Sequence, residues 1–128
     1  MSITLSAHGS HISVVTIDNP NKANAMSRDM LAELADIWRT LDNERSCRAI
    51  VVTGAGQRSF TAGADVAGDL SASEETAAVI NRALLKSVPY SKPVIAAVNG
   101  LAILYSHEEH FCCSRICSGV FCGSYALA

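Results

Sequence analysis

The sequence lacks the features that mark membrane, secreted and nucleic-acid-binding proteins. No uncharged apolar run reaches the roughly 18 residues that a transmembrane helix needs. The N-terminal segment MSITLSAHGSHISVV has no basic stretch followed by an apolar block, so it predicts no signal peptide. The ten Lys and Arg are scattered and the formal net charge is -2, so no basic stripe predicts binding to nucleic acid or an anionic membrane. We therefore expect a cytoplasmic protein with neither of these partners.

Charged residues are also scarce, at 17%, whereas 49% of the chain is hydrophobic, which is enough for a core. A length of 128 residues favours one domain. The five cysteines are an odd number and are unevenly placed: one is isolated at position 47, and the others are Cys112, Cys113, Cys117 and Cys122. A secreted disulfide framework would spread them along the chain, so we expect reduced thiols.

Hydrophobic periodicity predicts strands that alternate with helices. Alternating β-branched residues predict strands at about 3–6 and 12–17 with AHGS as a hairpin loop, and continuous apolar runs predict buried strands at 49–53 and 94–98. Ser27 is placed to cap a helix with one apolar face, formed by Met30, Leu31, Leu34, Ile37, Trp38 and Leu41. This order predicts an α/β fold with parallel crossovers.

A second helix is predicted to begin after Ser71, which has capping-box spacing to Glu74, and to end at Pro89. Its predicted buried side consists of Ala77, Ile80, Leu84 and Val88.

Two glycine-containing segments could carry chemistry. TGAGQRS resembles a dinucleotide-binding loop, but Ser59 stands where the third glycine belongs and no long amphipathic helix follows, so a plain turn is favoured. In SFTAGADV, small residues at 62–64 would let a ligand approach main-chain N–H groups, which could hold an oxyanion. A tight turn that requires glycine explains the same residues equally well.

Three segments in this order and spacing resemble the enoyl-CoA hydratase/isomerase family, the crotonase superfamily: NPNKANAMS, AIVVTGAGQRSFTAGADV and KPVIAAVNG. The resemblance covers about residues 3–103 and implies a crotonase-like spiral of ββα units. We expect residues 1–103 to form an incomplete N-terminal core of this fold, and residues 104–128 to be a divergent tail. The missing C-terminal part would include the elements that support the family's trimers and hexamers.

The resemblance also implies a substrate and a set of site residues. The substrate would be an acyl-CoA thioester, with no cofactor beyond the coenzyme A that it carries. The implied catalytic residues are Ala64, as the first oxyanion N–H donor, Tyr105, at the position of the second donor, and Glu108, as an acid/base group. The implied CoA-binding residues are Lys22, Ala23, Asn24, Ala25, Ala62, Gly63, Asp65 and Val66.

The family pattern changes after Gly100. Leu104, Tyr105 and Ser106 replace the glycines of the family, and the second hydratase Glu is missing. We therefore expect weak or no activity from this chain, with a non-catalytic CoA-thioester-binding or subunit-pairing role as the alternative. A metal-binding tail built from His107, His110 and the four late cysteines is disfavoured, because no CxxC pair is present. We predict no metal site.

Overall fold

The computed structural model describes residues 2–65, 74–85 and 90–102. In chain order the strands are β1 (Ser2–His8), β2 (Ile12–Asp18), β3 (Ala49–Gly54), β4 (Ser59–Thr61), β5 (Val94–Ala97) and β6 (Leu101–Ala102). Helix α1 (Arg28–Asn43) lies between β2 and β3, and helix α2 (Glu74–Ala83) between β4 and β5. A short 3-10 helix, Pro20–Lys22, follows β2. The predicted alternation of strands and helices is confirmed.

The main sheet has the order β1-β2-β3-β5. Strands β1 and β2 form an antiparallel hairpin that pairs Ser2 with Asp18 and His8 with Ile12. Strand β3 runs parallel to both β2 and β5. Because parallel neighbours need a crossover, α1 lies between β2 and β3, as the sequence predicted.

Helix α1 forms where its sequence predicts it. The Ser27 side chain accepts a hydrogen bond from the Met30 N–H at 3.3 Å, which satisfies one unpaired donor of the first turn. The predicted apolar face is buried except for Ile37, which is half-buried. This face packs in one core with apolar residues of the main sheet, including Ile3, Val15, Ile17, Ile50, Val52 and Val94.

The buried face of α2 differs from the prediction. Ala77 is exposed, Ile80 and Leu84 are half-buried, and the buried residues of the helix are Thr76 and Ala83. Two contacts from α1 turn the helix this way: Arg28 donates to the Thr76 hydroxyl at 2.6 Å, and the Trp38 indole N–H donates to the Ala83 carbonyl at 2.8 Å. Ser71, Val88 and Pro89 lie outside the described residues.

The prediction of a buried strand at 94–98 was only half right. Strand β5 ends at Ala97, and its residues alternate: Val94 and Ala96 are buried, whereas Ile95 is 38% exposed and Ala97 is exposed. The alternation arises because successive side chains point to opposite faces of a sheet and only one face of β5 lies on the core.

A second, two-stranded sheet was not predicted. Strand β4 pairs in parallel with β6, with Ser59 opposite Leu101 and Thr61 opposite Ala102. Gly100 permits this pairing, because a Cβ at this position would lie 2.4 Å from the Arg58 carbonyl oxygen.

Neither described helix has the length and apolar character needed to cross a bilayer.

Candidate functional site

The loop that follows β4 presents a main-chain donor with no internal partner. The Met26 N–H donates to the Gly63 carbonyl at 2.8 Å, and the Asp65 N–H donates to the Met26 carbonyl at 2.8 Å, so Met26 and Ala64 form a parallel bridge. The Ala64 N–H makes no hydrogen bond to any described residue. A trans peptide directs its C=O and N–H to opposite sides, so the Ala64 N–H points away from Met26.

Gly63 gives this loop its shape. Its φ is +84°, a conformation that residues with a Cβ seldom adopt, and it is buried. The turn that requires glycine at position 63 and the unpartnered N–H of Ala64 are therefore adjacent parts of one loop. The two interpretations of SFTAGADV that the sequence left open are compatible.

A second loop, 20–25, lies against the first and is built around Asn24. Ala23 and Asn24 both have left-handed backbone conformations, with φ of 54° and 57°. Asn tolerates this conformation better than most residues. The Asn24 side chain is completely buried: its Oδ1 accepts from the Asn19 N–H at 2.8 Å, and its Nδ2 donates to the carbonyls of Ala55 and Ser59 at 3.0 and 2.8 Å.

Lys22 and Asp65 form an ion pair across the mouth of the two loops. The Lys22 Nζ lies 3.3 Å from the Asp65 Oδ2, and the side chains are 62% and 18% exposed. An exposed pair of this kind contributes little to stability. The pair places the Lys22 ammonium group beside the loop that carries Ala64.

Asn99 fixes the same region from the other side. Its Oδ1 accepts from the Gly54 N–H at 3.1 Å, and its Nδ2 donates to the carbonyls of Gly56 and Ser59 at 2.8 and 3.2 Å. The Ser59 carbonyl thus receives two amide donors, one from Asn24 and one from Asn99. The segment TGAGQRS is therefore a turn held by side-chain amides, as the failed dinucleotide pattern predicted.

The structure brings together seven of the eight residues implied as CoA-binding, together with the implied oxyanion donor Ala64. Val66, Tyr105 and Glu108 lie outside the described residues, and the last two are the implied second donor and the implied acid/base group. Asn99, Thr61 and Asn19 were missed by sequence reasoning. No local pattern marks the side chains of these three residues, because each bonds to groups that the fold brings near.

No cluster of three or more potential metal ligands occurs in the part of the chain that the structure describes. The His and Cys residues of the alternative metal-binding tail all lie beyond residue 102, outside that part. Cys47, the remaining cysteine, is buried and carries a free thiol.

The described residues form an α/β domain of the crotonase-like class, with a β1-β2 hairpin followed by α1 and the parallel strands β3 and β5. Residues 7–117 match the family model described as enoyl-CoA hydratase/isomerase. An enoyl-CoA hydratase from Bacillus anthracis has a similar fold, with a TM-score of 0.69 and 29% identity over 78% of this chain and 40% of that one. The chain therefore belongs to the enoyl-CoA hydratase/isomerase family.

Two relatives show the extent of the match. A crotonyl-CoA hydratase of Syntrophomonas wolfei is 36% identical over 106 residues, which are 80% of this chain and 41% of the relative. A short-chain-enoyl-CoA hydratase of Clostridium acetobutylicum is 36% identical over 96 residues, 72% of this chain and 37% of the relative. The chain spans about two fifths of the length of these relatives. The residues that match the family model, 7–117, include Tyr105 and Glu108.

Proposed function

We propose that this chain binds acyl-CoA thioesters and takes part in the hydration or isomerisation of 2-enoyl-CoA, with the Ala64 N–H donating to the thioester oxygen. The observation that carries the proposal is this N–H, which has no partner among the described residues. Its direction is fixed because the Gly63 carbonyl before it and the Asp65 N–H after it both bond to Met26. A fixed N–H donor costs no reorganisation when negative charge develops on the carbonyl oxygen, so it stabilises the enolate.

Lys22 supplies the second part of the proposed site. Coenzyme A carries phosphates, and the Lys22 ammonium lies at the rim of the Ala64 loop, where Asp65 restrains it. In this proposal Lys22 attracts the anionic part of the ligand while Ala64 holds the thioester. Tyr105 would provide the second N–H and Glu108 the proton transfer. We expect slow turnover, because Tyr105 stands where the family has glycine. Coenzyme A would enter only as part of the substrate, and the location would be cytoplasmic.

The test removes the Ala64 N–H without removing the bridge to Met26. Proline has no N–H, and the two bridge hydrogen bonds use the Gly63 carbonyl and the Asp65 N–H, which Ala64→Pro retains. Calorimetric titration with crotonyl-CoA and with free CoA should show that the parent chain binds both, and crotonyl-CoA about fivefold more tightly. Ala64→Pro should lose this preference, whereas Ala64→Gly, which keeps the N–H, should retain it.

Two controls complete the test. Lys22→Gln should weaken crotonyl-CoA and free CoA equally, because it acts on the part that they share. Urea unfolding of Ala64→Pro is measured to check that the variant is folded. If the parent chain binds neither ligand, the proposal is wrong. Binding without any loss of the conjugated enoyl absorbance would instead support the non-catalytic CoA-thioester-binding role.

A further inference from the structure

A buried hydroxyl stands between the two loops of the site. The Thr61 side chain is 2% exposed, and its Oγ1 donates to the Asn24 carbonyl at 2.8 Å. The same oxygen accepts a hydrogen bond from the Gly63 N–H at 3.0 Å. A hydroxyl has one proton to donate and lone pairs to accept with, so a single atom serves both bonds.

The Asn24 end of this relay is rigid. Its carbonyl belongs to a residue with a completely buried side chain that makes three hydrogen bonds, to Asn19, Ala55 and Ser59. The Thr61 hydroxyl is therefore held by a fixed acceptor, and the direction in which it accepts is fixed as well.

The Gly63 end needs this restraint. Glycine adopts many backbone conformations, and Gly63 has φ of +84°. The peptide after Gly63 is held by Met26 through the Gly63 carbonyl. The peptide before it is held by Thr61 through the Gly63 N–H. With both flanking peptides held, the dihedral angles of Gly63 are determined, and with them the orientation of the following N–H of Ala64.

We propose that Thr61 is a positioning residue, whose hydroxyl holds Gly63 so that the Ala64 N–H points at the thioester carbonyl oxygen. This inference rests on the proposed function of Ala64. It assigns to a buried side chain, which touches no substrate, control over how strongly the carbonyl is polarised.

The variants are Thr61→Val, which keeps the shape and removes the hydroxyl, and Thr61→Ser, which restores the hydroxyl. Thr53→Val is the matched control, because the Thr53 hydroxyl also donates to a carbonyl, that of Ala97 at 2.8 Å, on another strand. Each protein is studied as the full 128-residue chain.

The first measurement needs no ligand. In amide spectra of the ¹⁵N-labelled protein, the Gly63 N–H should be hydrogen-bonded and slow to exchange in the parent, Thr61→Ser and Thr53→Val. Thr61→Val should move the Gly63 and Ala64 resonances and speed exchange at Gly63 by about tenfold or more, because the acceptor is lost. Unchanged Gly63 and Ala64 resonances in a folded Thr61→Val protein would overturn the inference, whatever the ligand results are.

The second measurement uses crotonyl-CoA labelled with ¹³C at the thioester carbonyl. A hydrogen bond to the oxygen moves this resonance downfield from its position in free crotonyl-CoA. The parent, Thr61→Ser and Thr53→Val should show the shift, and Thr61→Val should lose most of it while still binding through the CoA part. An equal shift in Thr61→Val would overturn the positioning role, whereas no shift and no binding in the parent chain would overturn the proposed function itself.

Discussion

At the scale of single residues, the small residues of the candidate site could be recognised in the sequence, but the hydrogen bonds that hold them could not. Ala62, Gly63 and Ala64 could be identified because small residues allow a ligand to approach the backbone. The hydrogen-bond partners of Asn24, Thr61 and Asn99 could not be predicted, because they are distant in sequence: Asn24 bonds to Ser59, Thr61 to Asn24 and Asn99 to Ser59. A buried polar group requires such a partner, but the sequence alone does not say which one it finds.

Tyr90 leads to a prediction on pH. Its hydroxyl donates to the Trp38 carbonyl at 2.6 Å, and its ring lies edge-on to that of Trp38. Burial, followed by the negative charge of Asp42, raises the pKa of Tyr90 above the ordinary value of 10.0. The folded protein therefore keeps this proton at a pH where the unfolded chain loses it. The resulting stabilisation is complete below pH 10 and is lost as the pH rises through the folded-state pKa.

Urea unfolding at a series of pH values should show the free energy of unfolding falling above about pH 10. Tyr90→Phe should be less stable at neutral pH by about 1 kcal/mol, because the hydrogen bond to Trp38 is lost. Its stability should fall less steeply at high pH, since residue 90 no longer titrates. Parallel curves for the two proteins would contradict this explanation.

At the scale of elements, local signals predicted α1 well and α2 less well. The signals for α1 are local, because its N-cap residue Ser27 directly precedes the helix and its apolar residues all lie within it. The buried face of α2 was mispredicted because it is set by Arg28 and Trp38 on another helix. Strands β4 and β6 were missed because they are only three and two residues long, and they form through a close backbone approach that few residues other than glycine allow.

The C-terminal end of α1 is held by Lys92, which lies just before β5. No basic residue lies in the last turn of α1. Instead, the Lys92 ammonium donates to the carbonyls of Leu41 and Glu44. A cation at this end of a helix satisfies unpaired carbonyls and interacts favourably with the helix dipole.

We predict that Lys92→Met lowers the free energy of unfolding by about 1 kcal/mol. Arg48→Met is the control, because Arg48 is exposed and its side chain contacts no carbonyl at the end of α1; its effect should stay within about 0.5 kcal/mol. Urea unfolding followed by circular dichroism compares the two. A loss as large in Arg48→Met would show that positive charge in general, rather than the helix end, is responsible.

At the scale of the described molecule, the two sheets meet where the connection from β3 enters β4, at Arg58 and Ser59. Asn24 and Asn99 both donate to the Ser59 carbonyl, and the Leu101 N–H donates to the Arg58 carbonyl at 3.0 Å. The loops that carry Ala64 and Lys22 are therefore attached to both sheets. The order of the main-sheet strands and the two helices could be predicted from the sequence, but this junction could not, because it is built from main-chain carbonyls that every residue possesses.

Substitution of Gly100 tests how much this junction contributes to the stability of the fold. A Cβ at position 100 would lie 2.4 Å from the Arg58 carbonyl oxygen and 2.9 Å from the Ser59 nitrogen, and these backbone atoms cannot move without breaking the pairing of β4 with β6. Gly100→Ala should therefore lower the free energy of unfolding by more than about 3 kcal/mol, which is in the range of changes that disrupt packing. Gly9→Ala is the matched control: Gly9 has φ of +70° with nothing near its Cβ, so only about 1 kcal/mol of backbone strain is expected. Urea unfolding measures both losses, and amide exchange at Leu101 should be faster in Gly100→Ala alone. Equal losses in the two variants would mean that the junction is dispensable, and that the main sheet and α1 carry the stability by themselves.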